Sequence, residues 1–203
     1  MYKNLFFLIS TMTLISCHNE DKFELNQNIN EFDDIIEAVI NNDSLKVFKN
    51  NKENNVVIEY LEKQKISDSK EYKIDGIIQV TPPNDLSIGD LFNLWQVDAK
   101  GFDKKDSLYL LSQNTNPDSL KISGKLLSKI EHLPHQQTLQ EWKKDNYLKY
   151  FTFCIPIISK DKSKAYVESG YHCGGLCGSG RAYFLEKINK KWKVVKKWGT
   201  WIS

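Results

Sequence analysis

The chain has 203 residues, of which 40% are apolar and 27% charged, and its formal net charge is +2. This composition fits one ordinary globular domain and excludes a disordered chain. Lys3 belongs to a segment that we expect to be removed, so the remaining chain is close to neutral, which argues against nucleic-acid binding.

Residues 1–16 have the features of a secretion signal. Lys3 gives positive charge near the N-terminus, and the apolar run Leu5–Ile15 follows it. A helix that spans a bilayer needs about 20 apolar residues, so this run is too short to cross. It ends in Leu14-Ile15-Ser16-Cys17, which resembles the lipobox of bacterial lipoproteins. We therefore predict cleavage before Cys17 and palmitate-type lipid on that cysteine; the alternative is an ordinary cleaved leader followed by a chance cysteine.

The predicted anchor sets the expected location and domain plan. We expect a lipid-anchored protein of the cell envelope at the outer membrane, facing either the periplasm or the outside. Residues 17–29 are polar with isolated apolar positions, which predicts a flexible tether. Residues 30–203 then form a single α+β domain.

The first element after the tether is a predicted amphipathic helix. Asn30 is a suitable N-cap, and Asn41-Asn42 is a suitable end. Between them, one apolar stripe at helical spacing consists of Phe32, Ile35, Ile36, Val39 and Ile40. We expect this helix to face the core.

The middle of the chain, residues 44–130, gives weaker signals, because short apolar runs fit a helix or a strand. We interpret Val56–Ile58 and Ile77–Val80 as strands, Leu86–Val97 as a helix and Ser107–Leu111 as a strand. Thr138-Leu139-Gln140-Glu141 is a capping box, which predicts a helix ending near Asn146.

The last quarter of the chain predicts four antiparallel strands in sequence. They are Lys149–Ile158, Lys164–Tyr171, Gly180–Ile188 and Lys191–Ser203. A two-residue hairpin at Asn189-Lys190 would pair Glu186 with Lys193, Leu185 with Val194 and Phe184 with Val195. The expected class is therefore α+β, with a C-terminal antiparallel β-meander packed against the N-terminal and middle helices.

The string from His172 to Gly180, HCGGLCGSG, is the most unusual in the sequence. In an exported protein a structural disulfide between Cys173 and Cys177 is the favoured interpretation, because flanking glycines allow a tight cross-linked turn. Two unpaired thiols, a redox pair, or a metal site from His172, Cys173 and Cys177 with His132 or His135 are the alternatives. The redox and metal alternatives lack the usual spacing and partners, so we expect no metal.

Two further features of this region have a structural interpretation. The predicted hairpin places Cys154 opposite residue 168, which makes it a buried free thiol rather than a disulfide partner. Gly178-Ser179-Gly180 does not match a phosphate-binding loop, because no helix signal follows it. We expect no nucleotide and no other cofactor.

No catalytic motif stands out, because the sequence contains no GxSxG, no HExxH and no SxxK followed by SDN. Candidates for a ligand or partner surface are Tyr171, His172, Arg181 and Trp201. On the last strand Trp192 and Trp198 have equal parity and are expected on one face, with Trp201 on the other. The first two then fit core packing, and an aromatic ligand platform is the functional alternative.

The stretch Ile157–Ser203 resembles part of a known group of bacterial proteins. Its segments KAYV, HCGGLCGSG and KKWKVVK, with the terminal Trp201-Ile202-Ser203, resemble the C-terminal region of uncharacterised lipoproteins and hypothetical proteins from Bacteroidota-type bacteria. The resemblance covers about the last quarter of the chain and implies a location and a motif, with no reaction attached. The predicted sheet also resembles, distantly, the curved sheet of nuclear-transport-factor-2-like proteins. This resemblance concerns the fold alone and implies no active site in this chain.

From these features we expect a membrane-anchored lipoprotein whose domain binds an envelope protein or a small ligand without catalysis. The first alternative is an enzyme with an unrecognised site in the concave face of the sheet. The second is a thiol–disulfide protein that uses Cys173 and Cys177.

Overall fold

A computed structural model describes residues 23–50, 55–68, 72–74, 77–79, 85–134, 140, 148–174 and 177–203. Cys17 and the predicted leader lie outside the described residues, and so does the predicted capping-box helix apart from Gln140. No helix in the described part of the chain is long and apolar enough to cross a membrane.

Helices and strands alternate irregularly along the described chain. The helices are α1 (Ile29–Asp43), α2 (Ile88–Phe92), α3 (Ser107–Ser112) and α4 (Gly124–Leu127). The strands are β1 (Val56–Glu62), β2 (Ile66–Ser67), β3 (Tyr72–Ile74), β4 (Ile77–Gln79), β5 (Leu86–Ser87), β6 (Asn93–Leu94), β7 (Ala99–Lys100), β8 (Ser119–Lys121), β9 (His132–Leu133), β10 (Tyr150–Cys154), β11 (Ile157–Ile158), β12 (Lys164–Gly174), β13 (Cys177–Ile188) and β14 (Lys191–Ile202). Single 3-10 turns cover Leu25–Gln27, Trp95–Val97, Lys104–Asp106 and Gln113–Thr115. The α+β class predicted from the sequence is confirmed.

One large mixed sheet organises the domain. Its strands lie in the order β14-β13-β12-β10-β1-β8, with β11 also paired to β12 and β9 to β1. The C-terminal strands form the predicted antiparallel meander. Strand β1 extends the sheet by pairing parallel to β10 and antiparallel to β8.

The β13–β14 hairpin confirms part of the predicted register. Glu186 pairs with Lys193 and Leu185 with Val194 as expected, but Phe184 pairs with Lys196 instead of Val195. A β-bulge between Phe184 and Leu185 adds one residue to β14, and an added residue reverses the side-chain alternation that follows.

This bulge makes the predicted placement of the tryptophans wrong. Trp192 belongs to the core beneath α1, whereas Trp198 packs on the opposite face of the sheet against Tyr166. A second irregularity, between Gly180 and Arg181, then leaves Trp201 on the same face as Trp198, beside His172.

The face of the sheet that packs against α1 is called here the α1 face. The predicted apolar stripe of α1 is confirmed: Phe32, Ile35, Ile36, Val39 and Ile40 are buried. They pack with inward residues of the sheet, including Phe151, Phe153, Val167, Tyr183 and Leu185. The helix ends at Ser44, whose positive φ of 49° takes the chain out of the helix.

The other side of the sheet is called the opposite face. A second apolar cluster covers one end of it, where Tyr166, Ala182 and Phe184 pack against residues of α2 and of the Leu94–Phe102 segment. The other end of this face, towards the β12–β13 turn, carries the candidate site described below.

Two predictions for the middle of the chain are wrong. Ser107–Leu111 lies in a helix, α3, and not in a strand; its Tyr109 packs in the cluster under α1 and its Leu110 in the cluster on the other side of the sheet. The predicted helix Leu86–Val97 is reduced to α2, which ends at Phe92. Long-range packing has decided between two local structures that such short apolar runs permit.

The folded chain also begins earlier than predicted. Phe23 is buried against Phe32 and Tyr109, and its backbone N–H donates to Ser112 Oγ at 2.9 Å. Residues 23–29, which the sequence suggested as part of a tether, are therefore part of the domain.

Candidate functional site

The opposite face carries a groove beside the β12–β13 turn, called here the aromatic-acid groove. It has a volume of about 230 Å³, and the side chains on this face that line it come from Glu62, Thr152, Cys154, Glu168, His172 and Trp201. These residues lie on four strands, β1, β10, β12 and β14, and only the sheet register brings them together.

Glycines form the floor of this groove. Gly170 pairs with Gly180, and Gly180 pairs with Trp201, so the three residues form one row across the sheet. A Cβ atom on Gly180 would lie 2.1 Å from the Nε1 atom of Trp201, and one on Gly178 would lie 3.0 Å from its Cζ3 atom. The indole therefore lies flat over the positions where side chains are missing. This explains Gly178-Ser179-Gly180 without a phosphate loop.

Three aromatic rings form a continuous row next to this floor. The rings of Tyr150 and His172 are stacked, with centroids 4.6 Å apart. The ring of His172 lies 5.6 Å from that of Trp201 at 44°. Trp201 remains 39% exposed, so the face of its indole turned away from the glycine floor is open to solvent. Aromatic faces that remain accessible in a groove are common in ligand sites.

Acidic groups border the aromatic row on one side. Glu62 pairs with Cys154, and Glu168 directly precedes Ser169, the partner of Phe153, so these three side chains share the opposite face. The hydroxyl of Tyr166 donates a hydrogen bond to Glu168 Oε1. Burial raises the pKa of the Glu168 carboxyl above its ordinary value of 4.5, and the hydrogen bond from Tyr166 only partly offsets this.

The two other titratable groups of the groove are held in their neutral forms. Burial, with the nearby charges of Glu168 and Glu62, raises the pKa of the Cys154 thiol to about 12. Burial lowers the pKa of His172 below 6.5, and the charge of Glu62 opposes this shift. At neutral pH the groove therefore contains a thiol and an uncharged imidazole beside the carboxyl groups of Glu62 and Glu168, and the described residues that line it supply no positive charge.

A second pocket, of about 260 Å³, lies on the α1 face at the end of α1. Its centre is the Asp43 carboxylate, whose side chain is 1% exposed. Asp43 accepts hydrogen bonds from Arg181 at 2.7 Å, Tyr183 at 3.0 Å and Lys197 at 2.8 Å. Burial alone would raise the pKa of Asp43, but these donors outweigh it and hold the pKa below the ordinary value. One carboxylate is therefore held by two cations and one hydroxyl, and these contacts join the end of α1 to the sheet.

A larger hollow, of about 750 Å³, lies at the edge of the sheet beside β1 and β8. It is lined by Tyr60, Lys63 and Asp118 among others, and it adjoins Pro134, after which the chain leaves the described residues.

The structure divides the four predicted surface residues between the two sites. His172 and Trp201 meet in the aromatic-acid groove, whereas Tyr171 and Arg181 line the Asp43 pocket on the α1 face. The four candidates therefore lie on two faces of the sheet, because neighbouring residues of a strand point to opposite faces, and their role in binding stays a prediction. His172 and Tyr171 separate for this reason alone.

The cysteine string forms the predicted cross-link. Cys173 and Cys177 are joined by a disulfide with a Cα–Cα distance of 5.1 Å, at the end of the β12–β13 ladder. Gly174 between them has a φ of 133°, a conformation that favours glycine. Cys154 is free, as predicted. His132 lies elsewhere, on β9, and His135 lies outside the described residues. No group of three or more His, Cys, Asp or Glu among the described residues is arranged to hold a metal ion.

Sequence reasoning missed Glu62, Glu168 and Asp43. The available signal was strand alternation, which would place Glu168 on the face of His172 if the predicted strand Lys164–Tyr171 is continued by one residue. The residues that Glu62 and Asp43 contact lie on strands that are distant in the sequence, so no local sequence pattern could predict these contacts.

Comparison with known proteins identifies no relative of this chain. No protein-family model, no curated protein and no solved structure matches it.

Proposed function

We propose that the protein is a lipid-anchored lipoprotein of the cell envelope whose domain binds a small ligand in the aromatic-acid groove. The observation that carries the proposal is the exposed indole of Trp201, which lies over a floor of glycines beside His172 and the carboxylates of Glu62 and Glu168. An open aromatic face and convergent polar groups in one concavity are the usual components of a small-molecule site.

Two features support export and anchoring. The leader and its Leu14-Ile15-Ser16-Cys17 end resemble a bacterial lipoprotein signal. The Cys173–Cys177 disulfide fits an oxidising compartment such as the envelope, since disulfides are rare in the reducing cytoplasm. An outer-membrane location, on either face, and kinship with Bacteroidota-type lipoproteins remain parts of this proposal.

The proposal includes a curved sheet of the kind found in nuclear-transport-factor-2-like proteins. The support is the set of irregularities in the ladders, at Val57/Leu61, His172/Gly174, Gly180/Arg181 and Phe184/Leu185. Bulges bend strands and increase their twist, so several of them along one sheet favour curvature.

One observation favours an enzyme as the second candidate. Glu168 has a raised pKa and shares the groove with Glu62 and His172, and a carboxyl with a raised pKa is a feature of general acids. A binding site can also contain a carboxyl group with a raised pKa, so the enzyme remains the second candidate. The thiol–disulfide alternative has less support, because both cysteines lie on strands and neither lies at a helix N-terminus, where thiols gain reactivity.

The test is a screen of small envelope compounds, such as sugars, amines and amino acids, against the full mature chain in detergent micelles. We expect at least one compound to raise the melting temperature of the wild-type protein and to quench tryptophan fluorescence. The substitution Trp201→Ala should abolish both effects, because it removes the open aromatic face. Trp95→Ala is the matched control, since Trp95 is 69% exposed and lies outside the groove.

Two results decide between the candidates. If no compound distinguishes the wild type from Trp201→Ala, the groove is not a ligand site and the proposal is wrong. If a compound is turned over, and Glu168→Gln stops turnover while binding persists, the enzyme alternative replaces the binding function.

A further inference from the structure

We propose that the aromatic-acid groove recognises a cationic ammonium group of its ligand, which the rings of Trp201 and His172 and the carboxylates of Glu62 and Glu168 would surround. This inference rests on the proposed binding function and specifies the chemistry of the ligand.

The first argument is charge. Among the described residues that line the groove, both charged side chains, Glu62 and Glu168, are acidic. No ion pair joins Glu168 to a Lys or Arg in the described part of the chain, and its hydrogen-bond donor is the neutral hydroxyl of Tyr166. A partly buried carboxylate without a cation is unfavourable in an empty groove. A cationic ligand supplies the missing partner, whereas an anionic ligand meets only repulsion.

The second argument is the aromatic surface. A cation is attracted to the negative face of an aromatic ring, most strongly to the face of Trp. The glycine floor holds the Trp201 indole flat on the sheet, so that a whole ring face, rather than an edge, is turned to the groove. The tilt of 44° between His172 and Trp201 makes a corner in which one group can contact both rings.

The third argument concerns His172. An imidazolium in this corner would repel a cation, but burial lowers the pKa of His172 and keeps the ring neutral at physiological pH. The stack with Tyr150 holds the imidazole in place. The histidine therefore acts here as a third aromatic surface.

The volume of the groove limits which chemical group of the ligand can enter it. A volume of about 230 Å³ fits an alkylammonium head or one small ring and does not fit a folded partner. The rest of the ligand would extend over the exposed side of Trp201. A small amine, or the ammonium end of a larger envelope molecule, satisfies both the volume and the charge.

The experiment compares two probes of the same shape. Choline carries a trimethylammonium group, and 3,3-dimethyl-1-butanol is its uncharged analogue. Each is titrated against the full mature chain at constant ionic strength, in micelles of a polyoxyethylene detergent, which carries neither sugar nor ammonium groups. We expect choline to bind at least about tenfold more tightly than the neutral alcohol.

Substitutions locate the binding. Glu168→Gln keeps the shape of the side chain and should weaken choline binding about tenfold while changing the affinity of the neutral alcohol by no more than about twofold. Trp201→Ala should weaken both probes. Asp34→Asn removes one negative charge from the exposed side of α1 and should change neither, so it controls for net charge.

The outcomes separate this inference from the proposed function. Equal affinity for the two probes, or choline binding that neither substitution weakens, overturns the ammonium assignment. If choline fails to bind but a sugar or another neutral compound gives a Trp201-dependent signal, the ligand class is wrong and the groove remains a binding site. If no compound of any class gives that signal, both the inference and the proposed function fail.

Discussion

The carboxyl of Glu168 lines the groove at a cost to the stability of the empty domain. Its carboxyl is partly buried on the opposite face, and its donor is the hydroxyl of Tyr166. The groups around it are Cys154 on β10, Glu62 on β1 and His172 on β12, and none of them is cationic at neutral pH. Charged Glu168 is therefore a cost to the empty domain, which a ligand could remove.

This cost predicts that Glu168→Gln stabilises the domain at neutral pH. The pKa of Glu168 is raised on folding, so the folded state holds the proton more tightly than the unfolded state, and stability falls as pH rises through the window above 4.5. The amide of Gln has no charge to bury and keeps an oxygen that can accept from Tyr166. Urea unfolding at about pH 7.5 should show a larger free energy of unfolding for the variant, and the difference should shrink towards about pH 4.

The exposed Glu62 provides the control for this measurement. Glu62→Gln removes a carboxylate from the same groove without the burial, so it should change the free energy of unfolding little at either pH. A Glu168→Gln variant that is less stable than the wild type at neutral pH would contradict the account given for this carboxyl.

The pairing of β13 with β14 shows how elements build the groove. Glycines at positions 178 and 180 of β13 create the space, and the irregularity of the ladder between Gly180 and Arg181 brings Trp201 of β14 into it. The disulfide lies at the same end of the β12–β13 ladder as these glycines, and its Cys173 lies on β12, the neighbour of β10. Strand register, more than any loop, therefore defines this site.

Gly180→Ala tests this arrangement. The added Cβ would lie 2.1 Å from the indole of Trp201, so the ring must move, and we expect the free energy of unfolding to fall by about 1–3 kcal/mol with a change in tryptophan fluorescence. Gly199→Ala is the matched control on β14, because its Cβ would meet nothing within 4 Å.

A double-mutant cycle makes the test specific. In a Trp201→Ala background the indole is gone, so Gly180→Ala should cost much less than it costs in the wild type. An equal cost in both backgrounds, measured by urea unfolding, would show that the glycine serves the backbone and not the indole.

In the whole molecule, one face of the sheet packs against α1 and the other face carries the proposed binding groove. The α1 face is closed by α1 and by the contacts of Asp43 with Arg181, Tyr183 and Lys197. The opposite face is covered at one end and open at the other, where the groove lies. Phe23, the first residue that the structure describes, is buried in the core.

The proposed anchor gives the prediction at this scale. Radiolabelled palmitate should enter the wild-type chain and move it to the membrane fraction, and Cys17→Ala should abolish both effects. Only residues 18–22 separate Cys17 from Phe23, so the lipid would hold the domain within roughly 20 Å of the bilayer. Cys154→Ala is the control, since this free thiol lies within the fold and should leave labelling unchanged. Labelling that survives Cys17→Ala would refute the anchor.

The sequence by itself determined the features that depend on local patterns. The apolar stripe of α1 follows from helical periodicity, the C-terminal strands from alternation, and the Glu186–Lys193 and Leu185–Val194 pairs from a two-residue turn. The Cys173–Cys177 disulfide could also be predicted, because the cysteines and glycines are neighbours in the chain.

Only the tertiary structure decided which residues share a face. The bulge between Phe184 and Leu185 separates Trp192 from Trp198, and alternation separates Tyr171 from His172. Side chains alternate between the two faces of a strand until a bulge inserts one residue. Whether a bulge forms depends on packing between distant strands. For the same reason the groove could not be predicted: Glu62 and Trp201 come together only when β1, β10, β12, β13 and β14 are in register.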